Sequence, residues 1–479
     1  MSNAHTDASH PRSVHPQADA VAAHARAAID AAIARLARYL TYPAISSDPA
    51  HHGDVARLAT TIAADLTTLG FDRARVLTLD GALPVVAAER MKAGPAAPTV
   101  LVYGHLDLQP VAGEPWDTEP HVATKKGDRL YARGAADDMG GWVSHIAAAT
   151  SWLAVAGELP VNLKLIIEGE EEIGSPNLAR FMDAHPEAFA SDVMILTDCE
   201  NPAVDIPGLT VSLRGIAEFE LSCEAIAADV HSGLWGNVVP DVTMGLIKLL
   251  ARLVDEDGRM AHERVTVPAE WQKAAWDVPL TPEVVRHAAH LLDGVEPLPA
   301  RGRPPAEWLW RQPAVTVVSS TLPTPERQKN ALRGRASAVL SVRLAPGQDR
   351  AGMRKVLEGI LLHDAPGGVR VALTDKPGNA ESWLYAPRGP AFEAADRAYV
   401  KAWGRPLLHI GVGGSIPFVA LFGRRFGDLP LILNGVMDPE TGAHGPNESM
   451  HLGVFEKAIV ANVHLYAELG ALPELVRNA

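Results

Sequence analysis

The chain has 479 residues, 47% hydrophobic and 21% charged, with 43 Lys and Arg against 57 Asp and Glu for a formal net charge of −14. This is a globular composition with length for two or three domains, and it excludes collagen-like, coiled-coil and disordered chains. An acidic surface repels phosphate backbones and anionic lipid, so neither nucleic acid nor membrane is expected as a partner. The two cysteines, Cys199 and Cys223, make no disulfide framework and point to a reducing compartment. The first twenty residues are polar, His-rich and without the apolar core of a secretory signal, and no later stretch approaches about 18 apolar residues in a row. The expectation is a cytoplasmic protein with a frayed leader outside the fold.

After the leader, Ile29, Ile33, Leu36 and Leu40 recur at helical spacing, which predicts one helix from Ala20 that Pro43 ends. Short apolar runs follow at Thr99–Tyr103, Val161–Ile167, Val193–Thr197 and Leu429–Leu433, several separated by Ala-rich helical stretches. That alternation predicts α/β layers on a largely parallel sheet flanked by helices. From Thr210 the texture changes. TVSLRGIAEFELSCEA and later SAVLSVRLAP alternate apolar and polar residues, as half-buried strands do. Beyond the turn-rich Lys376-Pro377-Gly378-Asn379, the helical Ala391–Trp403 resumes the earlier style. The fold expected is therefore α/β in two domains: one built from residues 18–210 and 386–479, with an α+β domain of residues 211–385 inserted into it.

Metal-competent side chains sit just past the apolar runs: His105 and Asp107 after VLVY, Glu168 to Glu172 after LKLII, and Asp198 after VMILT. The carboxyl ends of parallel strands line one crevice, so these side chains are expected to converge. His nitrogens and carboxylate oxygens together suit a divalent cation, and zinc takes such ligands at ~2.0 to 2.2 Å. A lone histidine or a run of glutamates is more often structural. The joint pattern favours a site.

The stretches YGHLDLQP (103–110), ARGAADDMGG (132–141), EGEEEIGS (168–175), DVHSG (229–233), GGSIP (413–417) and TGAHGPNE (441–448), in this order, resemble the M20 metallopeptidase family, nearest its carnosinase-like and PepV-like dipeptidases. The resemblance implies a di-metal catalytic domain, with the inserted domain serving as lid and dimerisation domain. Asp137 would bridge two divalent ions, zinc first, with manganese and cobalt accepting the same ligands. His105 and Asp198 would complete one site, and Glu172 and His444 the other. It further implies Glu171 as general base, Asp107 orienting His105, and a cis peptide after Asp137. The choice of Asp137 over Asp138, and of Glu171 among three consecutive glutamates, rests on the motif register. His231 would donate to the oxyanion from the partner subunit of a homodimer. Arg343 would pair the carboxylate of a dipeptide, with Asn330, Gly414 and Ser415 as further substrate contacts. Departures from the family pattern are Gly411-Val412 before GGSIP, Asn330-Ala331-Leu332-Arg333, and Met139 after the double Asp.

The activity implied is metal-dependent hydrolysis of dipeptides or short peptides. An N-acyl amino acid deacylase of the same superfamily would use the same metals, and a catalytically dead metal-binding interaction protein would need no base. Retention of both Asp107 and Glu171 speaks against the latter. A dinucleotide-binding loop at Gly411-Val412-Gly413-Gly414 has the wrong glycine spacing and runs into Pro417, and no GxSxG elbow surrounds a candidate serine.

Overall fold

Asn162–Glu168 is buried at every position and Thr99–His105 at all but its first, the pattern of strands covered on both faces. They are the centre of a six-stranded sheet in the order Arg73–Leu77, Val85–Arg90, Asn162–Glu168, Thr99–His105, Val193–Leu196, Leu431–Leu433. The last four run parallel, while the first two pair antiparallel at one edge. The expected α/β sheet is thus present, in a computed structural model that describes residues 14–262, 264–414, 417–427 and 429–477. Most of the leader and Ser415 lie outside the described residues.

The chain divides into two units, the first formed by Met1–Thr210, Pro387–Leu408 and Leu421–Ala479, the second by Val211–Ala386 and His409–Ala420. In the first, helix Met139–Ala156 carries Gly140, Gly141, Ala147, Ala148 and Ala149, small residues that let it lie close to its neighbours. Its Trp142 is fully buried and donates Nε1–H to the His105 carbonyl at 2.8 Å, which fixes the end of the central strand. The single N-terminal helix expected from Ala20 is two helices, Ala18–Ala27 and Ile29–Tyr39, broken at Ala28. No Gly or Pro marks that break. Ala32, Leu36 and Tyr39 form the buried line of the second helix, and Ile29 and Ile33 are only half-buried. Among the described residues no helix is long and apolar enough to cross a membrane.

The second unit holds an antiparallel sheet in the order Ala314–Ser320, Arg335–Leu344, Gly215–Glu224, Arg370–Asp375. Ala217, Phe219, Leu221 and Cys223 point inward and alternate with half-buried Glu218 and Glu220, as period two requires. Helices Val242–Ala251 and Arg350–Leu361 close this core with Leu246, Leu249, Leu357 and Leu361. Both are capped by an aspartate, Asp241 accepting from the Thr243 and Met244 amides and Asp349 from Gly352.

Candidate metal centre

His105 ends its strand, Asp198 follows Val193–Leu196 by two residues, and Glu171 and Glu172 open the short turn Glu171–Ile173 just after Asn162–Glu168. Parallel neighbours bring these three carboxyl ends to one edge of the first unit. Asp137 stands immediately before the helix at Met139, across a cis peptide to Asp138. His444 lies in a turn before Ser449–His451 with a φ of +64°, and its exposed ring reaches back over the site.

Two ligand groups result. One donor atom each from His105, Asp137 and Asp198 lie within 4.8 Å of one another, as do those of Asp137, Glu172 and His444. Asp137 belongs to both. Its Oδ1 is 3.2 Å from His105 Nε2 and its Oδ2 is 3.2 Å from His444 Nε2, which is also 3.4 Å from Glu172. Burial, reinforced by the Asp137 charge, pushes Glu172 up to about 8 and Asp198 up to about 7. Burial also raises Glu171 far above the carboxylate range, with Asp198, Glu172 and Asp107 adding to it against His105. Ionising so many buried acids beside only two histidines is unfavourable without added cations, and the nitrogen and oxygen donors are those of zinc, manganese or cobalt. The residues fit two divalent cations.

Contacts behind the ligands separate the glutamates that the sequence left to motif register. Glu168 accepts from the Tyr103 hydroxyl and, at 2.7 Å, from Ser175. Glu170 accepts from the Leu83 amide at 2.8 Å and from Asn177 Nδ2 at 2.9 Å. Glu172 receives Gln109 Nε2 at 2.7 Å. No hydrogen bond among the described residues engages the Glu171 carboxylate.

Asp107 stands behind His105. His105 Nδ1 lies 3.0 Å from the Asp107 main-chain carbonyl and 3.6 Å from its carboxylate. That carboxylate also accepts the amides of Glu171 and Glu172 at 3.1 and 3.0 Å, holding the turn that presents both. Asp138 accepts from Thr197 Oγ1 at 2.7 Å and from the His105 amide at 3.2 Å, against Gly104 and Gly141, where a Cβ would collide with its oxygens. Gln109, Asp138 and Glu448 are the residues the sequence reading gave no role. All three lie inside the motifs it quoted, but their work is to bind other side chains or main-chain amides, which spacing does not disclose.

The remaining candidates fall in the second unit. His231 is exposed on Val230–His231, paired with Ala331–Leu332, and its Nδ1 accepts the Gly233 amide at 3.0 Å. That bond leaves the ring proton on Nε2, so the imidazole presents an N–H donor outward. The Asn330 carbonyl accepts the Ser232 amide at 3.1 Å, which brings these two candidates together. Arg343 is half-buried on Arg335–Leu344, opposite Ala314 and Ile216. Near Gly414, buried Arg214 donates Nε–H to the Gly413 carbonyl at 2.9 Å and so holds that turn. Burial, aided by the like charge of Arg343, lowers Arg214 to about 10.

The profile of peptidase family M20/M25/M40 matches residues 101–469. A cysteinylglycine-S-conjugate dipeptidase of Corynebacterium striatum is 32% identical, over 91% of this chain and 94% of that one. A human Beta-Ala-His dipeptidase is 28% identical over 77% and 74% of the two chains. The crystal structure of human carnosine dipeptidase 1 superposes with a TM-score of 0.76 at 24% identity, over 96% of this chain and all (100%) of that one.

Proposed function

The chain belongs to peptidase family M20/M25/M40, and from that premise we propose that it hydrolyses the peptide bond of dipeptides at the centre built around Asp137. The observation that carries this reading is the pair of ligand groups sharing Asp137, with the unengaged Glu171 carboxylate beside them. His105, Asp137 and Asp198 would hold one cation, and Asp137, Glu172 and His444 the other. When bound, two such cations supply Lewis acidity toward a water and a substrate carbonyl. Glu171, held by the Asp107 clamp on its amide, takes the proton from the attacking water and returns it to the leaving amine. His231 offers its Nε2–H to the oxyanion, and Arg343 the planar fork that matches a terminal carboxylate.

That the relatives include dipeptidases supports dipeptides rather than acyl amino acids as the substrate class of this chain. A panel of Cys-Gly, β-Ala-His, common α-dipeptides and N-acetyl amino acids is expected to show dipeptide cleavage that chelation abolishes and added zinc, manganese or cobalt restores. Preferential release of acetate would establish the deacylase instead, and turnover by metal-free protein would end the metal reading.

We read the active form as a homodimer in the cytoplasm. Met244 and Ile247 on helix Val242–Ala251 are exposed, as are Val317 and Val318 on the edge strand Ala314–Ser320, whose outer side is unpaired among the described residues. Apolar side chains beside a free strand edge are what a two-fold pairing would cover. Both cysteines are buried and unpaired, as in a reducing compartment. If the partner subunit's His231 serves each site, His231→Ala and Glu171→Gln proteins, each inactive, regain activity on mixing, because a mixed dimer keeps one intact site. No recovery despite subunit exchange, followed by mass spectrometry of labelled chains, would put His231 in its own subunit's site.

A further inference from the structure

Glu448 is fully buried, and the hydrogen bonds of its carboxylate go to main-chain amides and to Arg133, not to the side chain of a candidate ligand. Its Oε1 accepts the amides of Ala136 and Asp137 at 3.1 and 3.2 Å. Its Oε2 accepts the Gly134 amide at 3.1 Å and the Arg133 guanidinium at 3.0 Å. One side chain therefore closes the main chain leading into Asp137, three amides and one cation around two oxygens. Arg133, itself buried, stacks on Trp116 at 5.2 Å and donates to the Pro110 carbonyl at 3.3 Å and to Glu114 at 3.3 Å. The segment after His105 and Asp107 is thus tied into the same knot. Asn447, next in sequence to Glu448, accepts the Asp117 amide at 2.8 Å and donates to the Asp117 carboxylate at 3.2 Å. Four residues before Glu448 stands His444.

We propose that Glu448, with Arg133, is the positioning residue of the metal centre: it fixes the loop that carries Asp137 to the loop that carries His444, and so sets the spacing of both ligand groups at once. This rests on the metal reading of the site. The physical ground is the charge and number of these bonds. Hydrogen bonds to a carboxylate are stronger than neutral ones, and amides converging on two oxygens in a dry interior leave the segment one arrangement. A neutral amide in the same place would turn an NH₂ group toward main-chain N–H donors or toward Arg133. Partners behind metal ligands typically alter affinity by about 10- to 100-fold.

The test is a cobalt titration of full-length metal-free protein, read by visible absorption and by competition with a chromophoric chelator, well below the thermal midpoint of every variant. Wild type is expected to take up two ions. Glu448→Gln is expected to weaken both by about 10- to 100-fold, and Glu448→Asp, which keeps the charge for Arg133 but is one methylene short, to weaken both by a smaller factor. A purely structural role would lower the thermal midpoint and leave these affinities unchanged. Wild-type affinity for both ions in either folded variant overturns the proposal, as does loss confined to one ion. If wild type itself binds no cobalt, the metal reading of the site is what fails.

Discussion

Glu171→Gln is expected to slow dipeptide hydrolysis by about 10²- to 10⁴-fold while both cations stay bound, because the proton acceptor goes and the ligands remain. The substitution preserves volume, and the Asp107 clamp acts on the Glu171 amide, which the change does not touch. No side-chain hydrogen bond is lost, so the fold should be indifferent to it. Glu170→Gln is the informative contrast. Its carboxylate is spent on Leu83 and Asn177, so replacement should lower the thermal midpoint through lost bonds of about 1 kcal/mol each and leave the rate close to wild type. Single-turnover kinetics with metal analysis on each variant decide the matter. If Glu170→Gln or Glu172→Gln lost the chemical step with metals in place and Glu171→Gln did not, Glu171 would not be the base.

Asp137→Ala should have the larger consequence for metal content. It removes the one side chain common to both ligand groups, leaving two protein ligands at each, His105 with Asp198 and Glu172 with His444. Catalytic zinc sites keep three protein ligands as a rule, so both ions are expected to be lost on dialysis and activity to fall by about 10³-fold or more. Asp198→Ala touches one group only and should release one ion. Elemental analysis of the dialysed proteins gives the counts, and two ions retained by Asp137→Ala would refute the shared-ligand arrangement.

The parallel core strands could be read in the sequence because strands buried on both faces are written as predominantly apolar runs, Val193 to Leu196 being the plainest and Asn162–Glu168, with Lys164 inside it, the least. Their direction could be read too, since each run is followed by a polar residue that only a shared carboxyl edge would bring together. The break at Ala28 could not, because an alanine-rich turn of helix carries the same residues whether it continues or stops. Nor could the division of labour among Glu168, Glu170, Glu171 and Glu172. It is decided by Tyr103, Ser175, Leu83, Asn177 and Gln109, which approach from other parts of the chain. Glu448 shows the same limit. A glutamate that caps main-chain amides far away in sequence looks, in one dimension, like any charged residue beside a histidine.

The order of the site residues along the chain bears on how the protein is made. His105, Asp107, Asp137, Glu171, Glu172 and Asp198 leave the ribosome long before His444 and Glu448, and before Leu431–Leu433, the strand that pairs with Val193–Leu196. Until then the nascent first unit carries an open, wholly apolar sheet edge, and its acids lack both His444, the second histidine that faces them, and the carboxylate that holds Asp137. The segment made in between contains a sheet and helices with their own core, so it can fold while the first unit waits. A pause in translation between the two halves would therefore expose one sticky edge for its whole duration, and a chain cut short before residue 431 would be left with that edge permanently uncovered.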